Sequence, residues 1–162
     1  MVLLQVNLNI NTSGINNMIE EVIKELKTKA MDAGKWAADE LTNEAREAIS
    51  DFYGSYSPVM YSRSNGLDNS YKRYYSNKHG NIIYGGVELT DSSSSYHSSI
   101  TGQGIDNAFV TSLAWFAGRH GFTEAFPESF HVRNYPPVMS PTPHQRLITK
   151  LHDVESGIKR FF

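Results

Sequence analysis

Two histidines and two glutamates within twelve residues are the best candidates for chemistry in this sequence. They are His120, Glu124, Glu128 and His131, residue types that bind zinc or transfer protons. Glycine, proline and phenylalanine interrupt the run, so no common helical face forms, and no HExxH pattern is present. We therefore expect loop or surface histidines and no metal site. The catalytic alternative is a small enzyme or toxin acting on nucleic acid, using His120 with Glu124 or Glu128 as acid and base.

Nucleophilic catalysis has little support. The chain contains no cysteine, and its serines lie in polar stretches such as SSSS, without the G-x-S-x-G turn. The glycines at 85–86 and 102–104 lack the strand–loop–helix context of a phosphate-binding loop. Four carboxylates fall on a predicted helix face where charges are usually solvated; they are Asp39, Glu40, Glu44 and Glu47. We expect no enzymatic activity and no cofactor.

A third candidate is the segment SPVMYSRSNGLDNSYKRYY, residues 57–75, which mixes tyrosines with cations. Aromatic rings next to positive charges occur where single-stranded nucleic acid stacks, but tyrosine and arginine are also enriched at protein–protein interfaces. The formal net charge is −2, whereas dedicated duplex-binding proteins carry a basic excess. We therefore favour a protein interface, with DNA contact at most incidental.

The bulk composition fits a cytosolic protein of one domain, spanning 1–162. The N-terminus MVLLQVNLNINTSG lacks the basic region and cleavage site of a signal peptide. No apolar run approaches the ~18–20 residues that cross a bilayer, so we expect no membrane partner. Without cysteine, neither a disulfide nor a thiolate metal site is possible.

The elements that position these residues begin with an alternating strand at 2–10 and a long helix. Apolar residues recur every three or four positions from 15 to 50, which is the helical period. A continuous helix of this length would extend roughly 50 Å at 1.5 Å per residue. We therefore expect either that Gly34 breaks it or that part of it leaves the body to contact a neighbour.

Two further helices are predicted. One is predicted from 143 to 162, where apolar residues are spaced alternately four and three apart. Its N-cap is Ser140 or Thr142, and each of these is followed by a proline at the first helical position. A shorter helix is predicted from 106 to 121, stopped by Gly118.

Short strands and loops fill the middle of the chain. Residues 81–89 predict a strand interrupted by glycines 85–86. Asn65-Gly66 suits a hairpin turn, although a short helix or strand through 67–75 is equally compatible. The serine-rich stretch at 90–104 predicts a mobile loop. The fold class is therefore α+β, with a long N-terminal and a C-terminal helix packed on a small, mainly antiparallel sheet.

The order of these pieces resembles the head–tail joining proteins of long-tailed phages, also called the tail-completion or neck family. That family has a Y-x-R-t-G-x-L-x-x-S element after its long helix and a P-x-x-x-P element before its last helix. Here the stretch RSNGL has one residue more than the family's RTGL. The matching residues are Tyr61, Arg63, Gly66, Leu67 and Ser70, then Gly118, His120 and Gly121, then Pro137 and Pro141.

The resemblance implies a structural role without catalysis. Such proteins form a ring, commonly six-fold, that bridges the portal or connector to the tail tube or terminator proteins. The chain would be located in the virion, at the neck or the head-proximal tail end, and in the host cytoplasm before assembly. The tyrosine–arginine segment then becomes a contact surface, and the residues expected there as contact or turn-anchoring residues are Tyr61, Arg63, Leu67, Tyr71 and Arg73. A tail terminator or a component of a phage-tail-like particle is the nearest alternative.

Overall fold

The computed structural model describes residues 12–55, 66–79, 82–90, 96–97, 104–105, 107–118 and 138–162. The predicted strand at 2–10 lies outside them. The described helices are α1 Thr12–Gly54, α2 Asn107–Ala117 and α3 Pro143–Ile158, with short 3-10 helices at Gly66–Asn69 and Lys159–Phe161. The described strands are β1 Tyr71–His79, β2 Ile82–Leu89, β3 Tyr96–His97 and β4 Gly104–Ile105. The predicted α+β class, with two terminal helices and a small antiparallel sheet, is confirmed.

α1 runs without interruption through Gly34, so of the two alternatives the break at Gly34 is wrong. Gly34 instead touches β2, because a Cβ atom there would lie 2.6 Å from Ile83 Cγ2. A Cβ atom on Gly85 would overlap the carbonyl oxygen of Gly34 and lie 2.7 Å from its carbonyl carbon. The two glycines let helix and strand meet through their backbones, and this packing outweighs the ~1 kcal/mol by which glycine disfavours a helix interior. β2 is likewise continuous, and the interruption predicted at its glycines is wrong.

β1 and β2 form an antiparallel hairpin that pairs Tyr71 with Leu89 at one end and His79 with Ile82 at the other. The predicted Asn-Gly hairpin turn is wrong: Gly66 begins a 3-10 helix, and the strands reverse between His79 and Ile82. The helix and the strand considered for 67–75 both occur, one after the other. The 3-10 helix leads into β1 and is the described part of the link between α1 and the sheet.

The serine-rich stretch predicted as a loop at 90–104 contains β3, and its last residue begins β4. These strands pair antiparallel through Tyr96 opposite Ile105 and His97 opposite Gly104. Two-residue strands leave no hydrophobic period in the sequence, so the pattern could not reveal them. The mobility expected of this stretch stays a prediction.

The main core lies where the C-terminal half of α1 meets the first 3-10 helix, α2 and α3. Its buried residues are Ala45, Ile49, Phe52, Leu67, Ala114, Trp115 and Leu147. A smaller cluster of Ala37, Leu41 and Val154 joins α1 to α3. Leu67, Trp115 and Leu147 thus pack on α1, where five of the eight buried apolar residues are alanine, and these small side chains bring the partners close to the α1 backbone.

The helix ends follow their local sequence. Thr142 caps α3, with its side chain accepting from the Gln145 N–H at 3.2 Å while the Gln145 side chain accepts from the Thr142 N–H at 2.9 Å. This is a capping box, and the proline at the first helical position confirms the prediction. Gly118 ends α2 with φ of 61°, a left-handed conformation that favours glycine. α3 ends at Ile158 rather than 162, because the chain tightens into a 3-10 turn whose Phe161 ring packs on Trp36.

Candidate interaction surfaces

A buried chain of hydrogen bonds fixes the link between α1 and β1. The Trp115 indole N–H donates to Ser70 Oγ at 2.8 Å, and the Ser70 hydroxyl donates to the Leu67 carbonyl at 2.6 Å. The Leu67 N–H donates to the phenol oxygen of Tyr53 at 3.0 Å. Leu67 itself is 4% exposed and belongs to the core. Leu67 therefore anchors the 3-10 helix in the core, and its contact with another protein stays a prediction.

Tyr71 and Arg73 lie on β1 and are both held by their own chain. The Tyr71 ring is half-buried and meets Trp115 edge-on, with ring centroids 6.1 Å apart. Arg73 Nε donates to an Asp39 carboxylate oxygen at 2.5 Å, and the guanidinium also reaches the Lys35 carbonyl at 3.3 Å. These contacts position both side chains at the seam between α1 and the sheet. Their contact with another protein stays a prediction.

The remaining candidate site residues lie outside the described residues. They are Tyr61 and Arg63 of the expected interface, and His120, Glu124 and Glu128 of the catalytic alternative. Within the described ranges, no group of three or more histidine, aspartate or glutamate side chains is placed to hold a metal ion.

The carboxylates assigned to a solvated helix face are ion-paired instead. Asp39 pairs with β1 as described above, and the others face α3. The latter pairs are Glu40–Lys150 at 2.6 Å, Glu44–Arg146 at 2.7 Å and Glu47–Arg146 at 4.0 Å, with Asp51 also bonded to Arg146. Asp39 and Glu47 are exposed as expected, whereas Glu40 and Glu44 are partly buried because they lie where α3 packs on α1.

The pairing changes proton affinities in the expected directions. The hydrogen bond from Lys150 holds the pKa of Glu40 below its usual value, and the same bond raises the pKa of Lys150. Burial alone would lower the pKa of Arg146, but hydrogen bonds to Asp51 and Glu44 raise it. These pKa shifts favour the charged forms of Glu40, Lys150 and Arg146, so the three side chains fasten α3 to α1 as ion pairs.

The sheet has one face against α1 and one face outward. Side chains alternate along a strand, so the even-numbered residues of β2 share the outward side with the even-numbered residues of β1 up to Ser76, after which the register shifts. Tyr74, Ile82 and Tyr84 are 41%, 56% and 42% exposed there. An ion pair between Lys72 and Glu88 at 3.2 Å lies beside them. We call Tyr74, Ile82 and Tyr84 the outer sheet face.

A second exposed apolar surface lies on α3. Ile148 and Leu151 on α3 are 44% and 37% exposed. His144 precedes them by one turn and stacks on the exposed ring of Phe116 from α2, with centroids 4.6 Å apart. These four residues form the α3 face.

The third surface is the N-terminal part of α1. Every residue from 14 to 28 is exposed, although the same helix is buried on one side from residue 33 onward. We call residues 14–28 the arm. Its six large apolar side chains are each between 41% and 67% exposed; they are Ile15, Met18, Ile19, Val22, Ile23 and Leu26. A stripe of this kind is normally covered by another element or another molecule.

An open groove of about 480 Å³ lies next to the 3-10 helix and is lined by Arg46, Ser50, Tyr53, Asp68 and Tyr71. Arg46 is bonded to Asn43 at 3.1 Å, and no histidine lines the groove to activate the serine. The groove offers polar contacts and no nucleophile–base pair.

Comparison with known proteins found no matching family model, no matching characterised sequence and no matching solved structure. In the part of the chain that the structure describes, no helix is both long enough and apolar enough to cross a membrane.

Sequence reasoning missed the Ser70–Trp115 bond and the Gly34–Gly85 contact. The first joins residues 45 positions apart and leaves no local pattern. The second had a signal: each glycine interrupts a stretch that is otherwise a good helix or strand, which is where backbones approach closely.

Proposed function

We propose that this chain is a non-catalytic structural protein that joins the head to the tail of a long-tailed phage. It would act as a tail-completion or neck ring component, in contact with the portal or connector on one side and with the tail tube or terminator on the other. The proposal begins from the resemblance in element order and short motifs.

The observation that carries the proposal is the pair of apolar surfaces on different elements. The outer sheet face and the α3 face are both exposed, and they share no residue. A closed ring with more than two subunits repeats a contact between two unlike surfaces, so each subunit must present both. Protein interfaces also commonly have aromatic residues at the centre and charged residues at the rim, and the outer sheet face has exposed tyrosines beside an ion pair.

The resembling motif supports the proposal in a second way. Leu67 and Ser70, which match the L-x-x-S end of the family's element, act together in the buried link between α1 and β1. A motif with this role preserves the placement of the sheet on the long helix. It is therefore consistent with shared architecture, while the partner-specific contacts would belong to the exposed surfaces.

The direct test is electron microscopy of lysates from the phage that carries this gene, with an early stop codon introduced. Filled heads beside detached tails of normal length are expected. Overlong or irregular tails would instead identify a tail terminator, and intact infectious virions would refute both roles. Cleavage of RNA or DNA by the purified protein that is lost in His120→Ala would move the catalytic alternative to the front.

The surfaces can be tested by complementing the stop codon with variants. Tyr84→Asp places a charge on the outer sheet face and Ile148→Asp places one on the α3 face. We expect both to leave the helical circular dichroism unchanged and to yield detached tails. Ser112→Asp, at an exposed polar position of α2, is the matched control and should restore virions. Full complementation by both surface variants would exclude these surfaces as the ring contact.

A further inference from the structure

The apolar stripe of the arm is symmetric about its own midpoint, as a contact between two identical antiparallel helices requires. Its six residues are placed symmetrically about the midpoint between Glu20 and Glu21. The symmetric pairs are Ile15 with Leu26, Met18 with Ile23, and Ile19 with Val22. From these positions we propose that two copies of this chain associate through their arms, packed antiparallel about a two-fold axis. In such a contact residue i meets residue j and j meets i, so every apolar residue of the stripe meets another.

The spacing within the stripe is that of a helix–helix seam. Ile15, Ile19, Val22 and Leu26 are separated by four, three and four residues, which is the spacing of a coiled-coil core. Lys29 occupies the next core position, and its ammonium is bonded to Glu25 at 2.8 Å. A charge at this position ends the seam, so the contact is limited to residues 15–26.

The rest of the fold favours the antiparallel orientation. The stripe continues along α1 into Ala33 and Ala37, which are each 4% exposed and covered by the body. In a parallel pair in register, the covering elements of both bodies would compete for the space between the two helices. In the antiparallel pair Thr12 of the partner falls level with Lys29, just short of Ala33, and each body begins about 19 Å from the two-fold axis.

The charges of the arm also permit self-association. Residues 14–29 carry three glutamates and three lysines, so two arms meet without net repulsion. Glu20, Glu21 and Lys24 lie on the side away from the stripe, as helical periodicity requires. The seam is only about 18 Å long, and its contact is smaller than the ~800 Å² per partner typical of stable complexes. We therefore expect a reversible dimer with a dissociation constant between about 1 µM and about 1 mM.

This inference concerns the chain in solution and does not rest on the proposed joining role. A two-fold contact cannot be the repeating contact of a single cyclic ring of six. A subunit that enters such a ring would use its outer sheet face and its α3 face for the ring contacts, which leaves the arm pair as a separate contact. The two proposals are therefore tested independently. The joining role is tested in a phage lysate, and the arm dimer is tested with purified protein.

The native chain has no cysteine, which allows a clean cross-linking test. Ile15→Cys and Leu26→Cys are purified separately, one of them with a tag, and are mixed and oxidised. The antiparallel pair predicts the mixed 15–26 disulfide in large excess over the two symmetric disulfides. Asn17→Cys and Lys24→Cys are the matched control, because the same axis relates them but they lie on the far side of the helix. They should form few disulfides.

Sedimentation gives the second measurement. The wild-type mass should rise from monomer toward dimer with concentration, and Ile19→Glu should remain monomeric with an unchanged circular dichroism spectrum. Lys24→Glu, on the far side, should dimerise like the wild type. A predominance of 15–15 and 26–26 disulfides would overturn the antiparallel pair. Disulfide yields no higher than those of the Asn17/Lys24 control would overturn the arm contact altogether.

Discussion

The backbone contact between α1 and β2 makes a sharp prediction about two adjacent glycines. Gly85 faces α1, and a Cβ atom there would lie 2.7 Å from the Gly34 carbonyl carbon and 2.9 Å from its Cα. Gly86, the next residue, faces outward, and a Cβ atom there would have no neighbour within 4 Å. We predict that Gly85→Ala destabilises the protein strongly and that Gly86→Ala does not.

The size of the destabilisation depends on which atoms must move to make room for the added methyl group. A clash with the end of a side chain can be relieved by rotation, but all three of the nearest atoms to Gly85 are helix backbone. Overpacking a tight contact costs about 1–3 kcal/mol, and the immobile neighbour places Gly85→Ala near the upper end. At Gly86 the same added methyl reduces the entropy of the unfolded chain and should stabilise by about 0.4–1 kcal/mol.

Urea unfolding followed by circular dichroism measures both free energies on the same scale. For a chain of this length each kcal/mol corresponds to about 2–4 °C in Tm, so Gly85→Ala should lower Tm by roughly 5–10 °C. The pair of variants controls for composition and position, since the substitution is identical and the sites are adjacent. If Gly85→Ala were as stable as the wild type, or if both variants lost stability equally, the backbone contact would be refuted.

Two further predictions concern polar contacts. Ser70→Ala should lower the free energy of unfolding by about 1–3 kcal/mol, because the buried Trp115 N–H loses its acceptor. Ser112→Ala, at an exposed site, should change it by less than about 0.5 kcal/mol. Equal effects of the two substitutions in urea titrations would contradict the buried bond. The lowered pKa of Glu40 means that its stabilisation is present above the ordinary glutamate pKa of 4.5 and is lost as pH falls below it. Lys150→Gln should therefore reduce the difference in unfolding free energy between pH 7 and pH 3. The reduction should be at most about 1 kcal/mol, because the Glu40–Lys150 pair is partly solvated. An unchanged difference would show that the pair does not contribute to the pH dependence of stability.

The parts of the fold that the sequence predicted are those with a local cause. α3 has its cap, its first-turn proline and its apolar stripe within a short stretch, so Thr142 and the helix after it were found together. The same holds for Gly118, whose positive φ ends α2. The length of α1 also followed from periodicity, and one of the two outcomes expected of it, a part that leaves the body, matches the exposed arm.

The parts that the sequence did not predict depend on distant residues. Gly34 has the lowest helix propensity of any residue but proline, and only its contact with Gly85 explains why the helix continues. β1 lacks a clear alternation of apolar residues, so its faces could not be assigned. Residue type and the resemblance therefore predict contacts at Tyr71 and Arg73, and the structure adds the exposed Tyr74 on the other face of the same strand.

The difference between the two faces of β1 bears on how the resemblance to joining proteins should be tested. Leu67 and Ser70, which carry the motif, are buried and bonded within the chain, so their identity is explained by the fold alone. Substituting them would disrupt assembly by unfolding the link to β1, whatever the partner is. Only exposed positions such as Tyr84 can separate a lost partner from a lost fold, because a charge there leaves the core untouched. The joining role therefore has to be tested on the exposed faces, because the buried motif supports a shared architecture only.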